Sequence, residues 1–160
     1  MDKIKRILFV CLGNTARSPP AEYLARYYAE IDNVDLIFSS AGFINAFSYM
    51  QRESQDYLNS KKINHSDFQP QLITRSLLKS QDLILTMEKS HSIDILKIYN
   101  NIPNIEKKTY TLKEFNGETQ DLDIIDPYYT TSDMYREVLK IIDDNVMKAV
   151  GKIQKLNSQL

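Results

Sequence analysis

The stretch VCLGNTARSP, Val10 to Pro19, holds the only cysteine of the chain, and five residues separate that thiol from an arginine. It follows a run of apolar residues and precedes a helical pattern. A loop joining a buried strand to a helix N-terminus presents backbone N–H groups and the positive end of the helix dipole, which together hold a tetrahedral anion. Leu12, Gly13, Asn14, Thr15 and Ala16 would supply that backbone. Gly13 lets it come close to a ligand, and Asn14 tolerates the left-handed conformation that such a nest needs. Arg17 would add a planar fork to two anion oxygens, a geometry that lysine lacks. The same field favours the thiolate form of a thiol, which is the nucleophilic form. Cys11 is therefore the candidate nucleophile, phosphate the candidate anion, and Ser18 the candidate hydrogen-bond donor to the sulfur. The plainer alternative is a space-filling Cys11 at a strand end with Arg17 in solvent; Gly13, Asn14, Arg17 and Ser18 in one loop weigh against it.

Phosphoryl transfer to a thiolate also needs a proton for the leaving oxygen. The segment DIIDPYY offers Asp126, where Pro127 disfavours helix and holds the chain extended or turned. Tyr128 and Tyr129 then provide flat walls for a substrate side chain. Asp121 and Asp123 lack that setting and read as solvated. The segment GFINAFSYMQRES, 42–54, reads as a further wall, with Phe43, Phe47 or Tyr49 near the substrate. His91 lies in a helical pattern and receives no role; Tyr27 and Tyr28 read as helix packing with Leu24.

Positioning these groups requires alternating strands and helices. Apolar runs predict strands at Ile4 to Val10, within NVDLIFSSAG ending at Gly42, in DLILTM, and more weakly near Lys107 to Thr111. Helical spacing predicts helices from Ser18, with Ser18 as cap and Pro19 in the first turn, and over Met50 to Lys61, Thr74 to Lys79, Lys89 to Tyr99 and Ser132 to Lys155. Such alternation argues for an α/β protein with a parallel sheet covered on both faces. Ligand sites of these sheets collect beyond the carboxyl ends of the strands, where Cys11, Ser40 and Met87 fall.

The 160 residues show no linker-like or repeated segment, so one domain spanning 1–160 is expected. With 20 basic and 21 acidic residues the net charge is −1, which gives no reason to expect nucleic acid or an anionic membrane as partner. No signal peptide or membrane span is legible, and a cytoplasmic monomer is expected. A single cysteine allows neither an intrachain disulfide nor a multi-cysteine metal site.

With those motifs in hand the sequence resembles the low-molecular-weight protein tyrosine phosphatases: VCLGNTARSP, SAG, DLILTM and DPYY occur in that family's order over nearly the whole chain. The resemblance implies a three-layer sandwich with a four-stranded parallel sheet, phosphorylated protein substrates, and no metal or other cofactor. It implies two chemical steps. Cys11 attacks phosphorus while Asp126 protonates the leaving group, and a water activated by Asp126 then hydrolyses the phosphocysteine. It further implies that Ser40 and His65 join Asn14 in a network supporting the loop. Three departures matter. Ala16 stands where many relatives carry a second cysteine, so no local disulfide could protect an oxidised Cys11. The family's thioredoxin-coupled arsenate reductases need extra cysteines, which this chain lacks. Thr15, with TLKEF at 111–115, resembles the protein arginine phosphatases, whereas Tyr128 followed by Tyr129 resembles the tyrosine class. Phosphotyrosine is the expected substrate and phosphoarginine the alternative, with a non-catalytic phosphate-binding module behind both.

Overall fold

The computed structural model describes residues 2–160. Four parallel strands, β1 (Arg6–Cys11), β2 (Ile37–Gly42), β3 (Leu83–Thr86) and β4 (Thr109–Thr111), form one sheet in the order β2-β1-β3-β4. The central strand β1, ILFVC after Arg6, is buried from Ile7 onward because both faces are covered, which is why it reads as a continuous apolar run. Alternate residues divide between the layers. Ile7, Phe9 and Cys11 pack with helices α1 (Ser18–Ile31) and α7 (Ser132–Ser158), while Leu8 and Val10 face Leu78 of α3 (Arg75–Lys79) and Ile95 of α4 (Lys89–Ile98). The expected three-layer sandwich is therefore present.

Two features of the sheet place the site. The neighbours of β1 are β2 on one side and β3 on the other, so the chain reverses its winding there and a crevice opens beyond the strand's carboxyl end. Register then aligns the ends: Cys11 pairs with Gly42, and Val10 with Thr86.

Local differences have local causes. Ser18 does not cap α1 but begins it; Arg17 holds the cap position with φ −105° and ψ −55° and no side-chain cap bond, and the Ser18 hydroxyl bonds Cys11 and Asn14. Pro19 does lie in the first turn. The helix α2 (Arg52–Ser60) is shorter than its pattern, and α7 runs three residues past Lys155. Two four-residue helices, α5 (Ile105–Lys108) and α6 (Leu112–Phe115), are too short for periodicity to reveal. The second did carry a legible signal: Thr111 and Glu114 form a capping box. Among the described residues no helix is long and apolar enough to cross a membrane.

Candidate active site

Cys11 ends β1 at 2% exposure, and the chain turns through residues 12–17 into α1. Neighbouring segments bind the loop's carbonyls. Phe43 and Ile44 donate their N–H groups to the Leu12 oxygen at 2.7 and 3.1 Å, Gln51 N donates to the Thr15 oxygen at 2.8 Å, and the Ser54 hydroxyl donates to the Ala16 oxygen at 2.7 Å. Among the described residues the backbone N–H groups of 13–17 have no backbone acceptor. The loop thus offers unpaired donors, at the head of a 14-residue helix, to an anion.

Asn14 makes this turn at φ 52°, in the left-handed region. Its side chain is held at both ends: Nδ2 donates to Ser18 Oγ at 2.8 Å, and Oδ1 accepts from the backbone N–H of Gln71 at 3.0 Å. Because Ser18 Oγ already accepts from Asn14, its own hydrogen is free to point at Cys11 Sγ, 3.0 Å away. Gly42 lets β2 lie against the loop. A Cβ there would stand 2.7 Å from Asn14 N and 2.8 Å from the Gly13 carbonyl carbon.

Arg17 is 1% exposed, and its Nη1 is pinned by Glu88 Oε2 at 2.5 Å and by the Ile124 carbonyl at 2.7 Å. Its Nε is buried without a hydrogen-bond partner among the described residues, and Nη2 lies 3.7 Å from Asp126 Oδ2. One edge of the guanidinium is consumed by the scaffold, and the Nε/Nη2 edge is left as a fork for two oxygens. Asp126 is exposed, and its Oδ1 accepts the Tyr128 N–H at 3.0 Å, a turn that Pro127 helps to fix.

Cys11, the loop, Arg17 and Asp126 border one cavity of about 200 Å³. Its outer wall is apolar, from Ile44, Ala46, Phe47 and Tyr128, with the Phe47 and Tyr128 rings edge to face at 5.4 Å. Larger hollows of about 410 and 510 Å³ lie elsewhere but contain neither a thiol nor this array of N–H groups.

Several expected residues stand elsewhere. Asn14 and Ser18 are buried behind the loop and support it rather than line the cavity. Tyr129 is no cavity wall: its φ of 70° turns the side chain outward, where it is 93% exposed and touches Tyr128 at 4.1 Å. Of the aromatic residues in 42–54, Phe47 reaches the cavity and Tyr49 leans on it, whereas Phe43 packs under the other face of the sheet. Among the described residues Ser40 makes no direct hydrogen bond to Asn14. Its hydroxyl donates to Glu22 Oε1 at 2.6 Å, and its carbonyl accepts from Gln71 Nε2 at 2.9 Å. His65 is outside the network, bonded to Asn59 Oδ1 at 2.8 Å with its ring edge to face with Tyr23 of α1. Gln71 is the bridge: its backbone N–H holds Asn14 and its side chain reaches the Ser40 carbonyl, so Ser40 joins Asn14 through Gln71 while His65 does not. Asp123 is exposed, yet it accepts the Lys89 N–H at 2.7 Å and so caps α4.

Three supporting groups escaped sequence reading. Gln71 holds Asn14 through its backbone, which has no residue signature. Glu22 is buried; burial pushes its carboxyl above the ordinary range while the Ser40 hydrogen bond and Arg26 oppose that. Glu88 had a usable signal, a carboxylate two residues beyond the end of a buried strand.

A buried thiol, a nest of free N–H groups, an arginine fork and an overhanging carboxylic acid define a thiol-dependent phosphate-ester hydrolase of the α/β type. Residues 6–159 match the family described as low molecular weight phosphotyrosine protein phosphatase, and the chain belongs to that family of phosphatases. It is 29% identical to a protein-arginine-phosphatase of Bacillus subtilis over 152 residues, covering 93% of this chain and 97% of that protein. To the low molecular weight protein-tyrosine-phosphatase PtpB of Staphylococcus epidermidis it is 31% identical over 143 residues, covering 89% and 95%. The solved structure of a low molecular weight protein tyrosine phosphatase from T. tengcongensis superposes with a TM-score of 0.83 at 30% identity, covering 92% of this chain and 99% of that one.

Proposed function

We propose that this phosphatase hydrolyses phosphotyrosine in proteins through a phosphocysteine on Cys11. The observation that carries the reading is the convergence of Cys11, Arg17 and Asp126 on one cavity whose outer wall is aromatic and aliphatic. In the first step the Cys11 thiolate attacks phosphorus, the P–O bond to the leaving group breaks, and Asp126 gives its proton to that oxygen. In the second, Asp126 takes a proton from water, the water attacks phosphorus, and the thiolate leaves with a hydrogen bond from Ser18. The N–H groups of 13–17 and the Nε/Nη2 edge of Arg17 hold the phosphoryl oxygens throughout, already oriented before charge develops on them. No step calls for a metal.

The substrate assignment rests on the wall. Ile44, Ala46, Phe47 and Tyr128 suit a phenyl ring, and among the described residues Asp126 is the one carboxylate bordering the cavity, so no second one of these waits there for a guanidinium. A phosphoarginine substrate is the second reading, favoured by Thr15 on the cavity wall and by the relative named for that activity. All the proposed catalytic groups come from one chain, so a monomer suffices. A lone, unbridged thiol as nucleophile fits a reducing, cytoplasmic setting.

Hydrolysis of a phosphotyrosine peptide and a phosphoarginine peptide, side by side and without added metal, tests the reading. Wild type should prefer phosphotyrosine, and Cys11→Ser should lose turnover while still binding phosphate. A phosphoarginine preference would make Thr15 the specificity determinant, and full activity in Cys11→Ser would eliminate the nucleophile.

A further inference from the structure

His91, on the first turn of α4, is an imidazole that the proposed chemistry does not use, yet it is 5% exposed. Its Nε2 lies 3.5 Å from Glu88 Oε2, the same oxygen that receives Arg17 Nη1 at 2.5 Å. Its Nδ1 is buried with no hydrogen-bond partner among the described residues. The Phe43 ring, from the segment after β2, closes the other side at 5.6 Å between ring centres. A buried polar ring without good hydrogen bonds is costly, and phenylalanine would fill such a place more cheaply. What the imidazole supplies here is a weak polar contact to the carboxylate that fixes the phosphate-binding arginine.

We propose that His91 is a positioning residue for Arg17: as a neutral ring it backs Glu88 so that the carboxylate stays on the guanidinium, and as a cation it draws Glu88 away. In the neutral state Glu88 has one strong partner, and Arg17 is held with its free edge toward the cavity. Once protonated, the ring competes for Glu88 Oε2 and stands as a second positive charge beside a buried guanidinium. The clamp loosens, and oxyanion affinity falls.

The groups facing His91 agree with a neutral resting state. Burial is the main influence and favours the uncharged ring, and Arg17, from the loop after β1, acts in the same direction. Glu88 and Asp94 on its own segment, and Asp123 from the loop before Asp126, act against them, and the balance lies below the ordinary 6.5. The cation therefore forms in the folded protein only under mildly acidic conditions.

Sulfate, a tetrahedral dianion that does not titrate in the relevant range, serves as the probe, with binding followed calorimetrically across neutral to mildly acidic pH. At neutral pH His91→Phe should bind sulfate about three- to tenfold more weakly than wild type, the loss of one modest polar contact. In turnover its KM should rise more than its kcat falls. His91→Gln, which keeps an N–H near the Nε2 position and cannot titrate, should restore affinity to within about twofold. As pH falls below 6.5, wild type should lose affinity relative to His91→Gln, and the ratio between them isolates this ring from the other titrating groups. A folded His91→Phe with wild-type affinity at every pH overturns the proposal, as does an identical pH dependence in wild type and His91→Gln. The inference rests on the phosphate-cradle reading of the loop, but sulfate binding is read without turnover, so failure of the hydrolysis assays and failure of this proposal are separate results.

Discussion

At the scale of single residues, the proposed site divides groups that would meet the substrate from groups that hold them. Asp126 is exposed and held by its turn and by a loose 3.7 Å ion pair with Arg17 Nη2, which suits a group proposed to reach the leaving oxygen and later a water. Asp126→Asn should lower kcat for phosphotyrosine peptides by about 10²–10⁴-fold, the ordinary contribution of a positioned acid. The loss should shrink for an activated aryl phosphate whose leaving group departs without a proton. An equal loss for both substrates would give Asp126 a role other than proton transfer. Glu88 is a holding group: Arg17 at 1% exposure has few other ways to satisfy Nη1. Glu88→Gln keeps a hydrogen-bonding oxygen but removes the charge. It should cost about 1–3 kcal/mol in urea unfolding, kept below the value for a fully buried pair because Glu88 is 28% exposed, and should raise KM. An unchanged KM would mean that the Ile124 carbonyl alone orients the arginine.

At the scale of elements, the decisive arrangement is the packing of the end of β2 on the loop after β1. Gly42→Ala would place a methyl group within 2.9 Å of three backbone atoms of residues 12–14, which have no flexible side-chain end to yield. The loop must move, so oxyanion binding should fall by more than tenfold, with a stability loss of about 1–3 kcal/mol from overpacking. Phosphate inhibition and urea unfolding measured together would check this; a variant with normal inhibition would show that the loop tolerates displacement. This packing also marks what a sequence can disclose. The strands, the Cys11 loop and the Asp126 turn were legible because each rests on a local pattern: an apolar run, a thiol and arginine at fixed spacing, a proline after an aspartate. Contacts across elements were not. Gln71 supports Asn14 through its backbone and takes in Ser40 by that residue's carbonyl, while His65 lies elsewhere, because loop trajectories, not residue types, decide which group arrives. Tyr129 was misplaced for a related reason, since an adjacent tyrosine carries no sign of the left-handed φ that turns it to solvent.

At the scale of the whole molecule, the long helix α7 is tied to α1 and α2 by phenols. Tyr28 and Tyr57 both donate to the buried carboxylate of Asp143, and Tyr135 shares a hydrogen bond with Ser54, whose hydroxyl supports the active-site loop at Ala16. Burial suppresses the ionisation of all three phenols, and of Tyr23, and lifts their pKa above the ordinary 10.0. The nearby carboxylates Asp143 and Asp67 add to this for Tyr28, Tyr57 and Tyr23, while the Ser54 hydrogen bond opposes it for Tyr135. The folded state therefore keeps protons that the unfolded chain releases. Stability should be level with respect to these groups below 10.0 and fall as pH rises past it, because the unfolded state then binds fewer protons. The slope has an upper bound of about 1.4 kcal/mol per pH unit for each tyrosine. Urea unfolding between about pH 8 and about pH 11 would measure it, and Tyr135→Phe should shallow the slope by about one such increment. A flat profile, or a slope indifferent to Tyr135→Phe, would mean that these phenols ionise as easily in the folded protein as outside it. Because Ser54 links Tyr135 to the Ala16 carbonyl, wild type should also lose phosphate affinity before global unfolding on the alkaline side, whereas Tyr135→Phe should not.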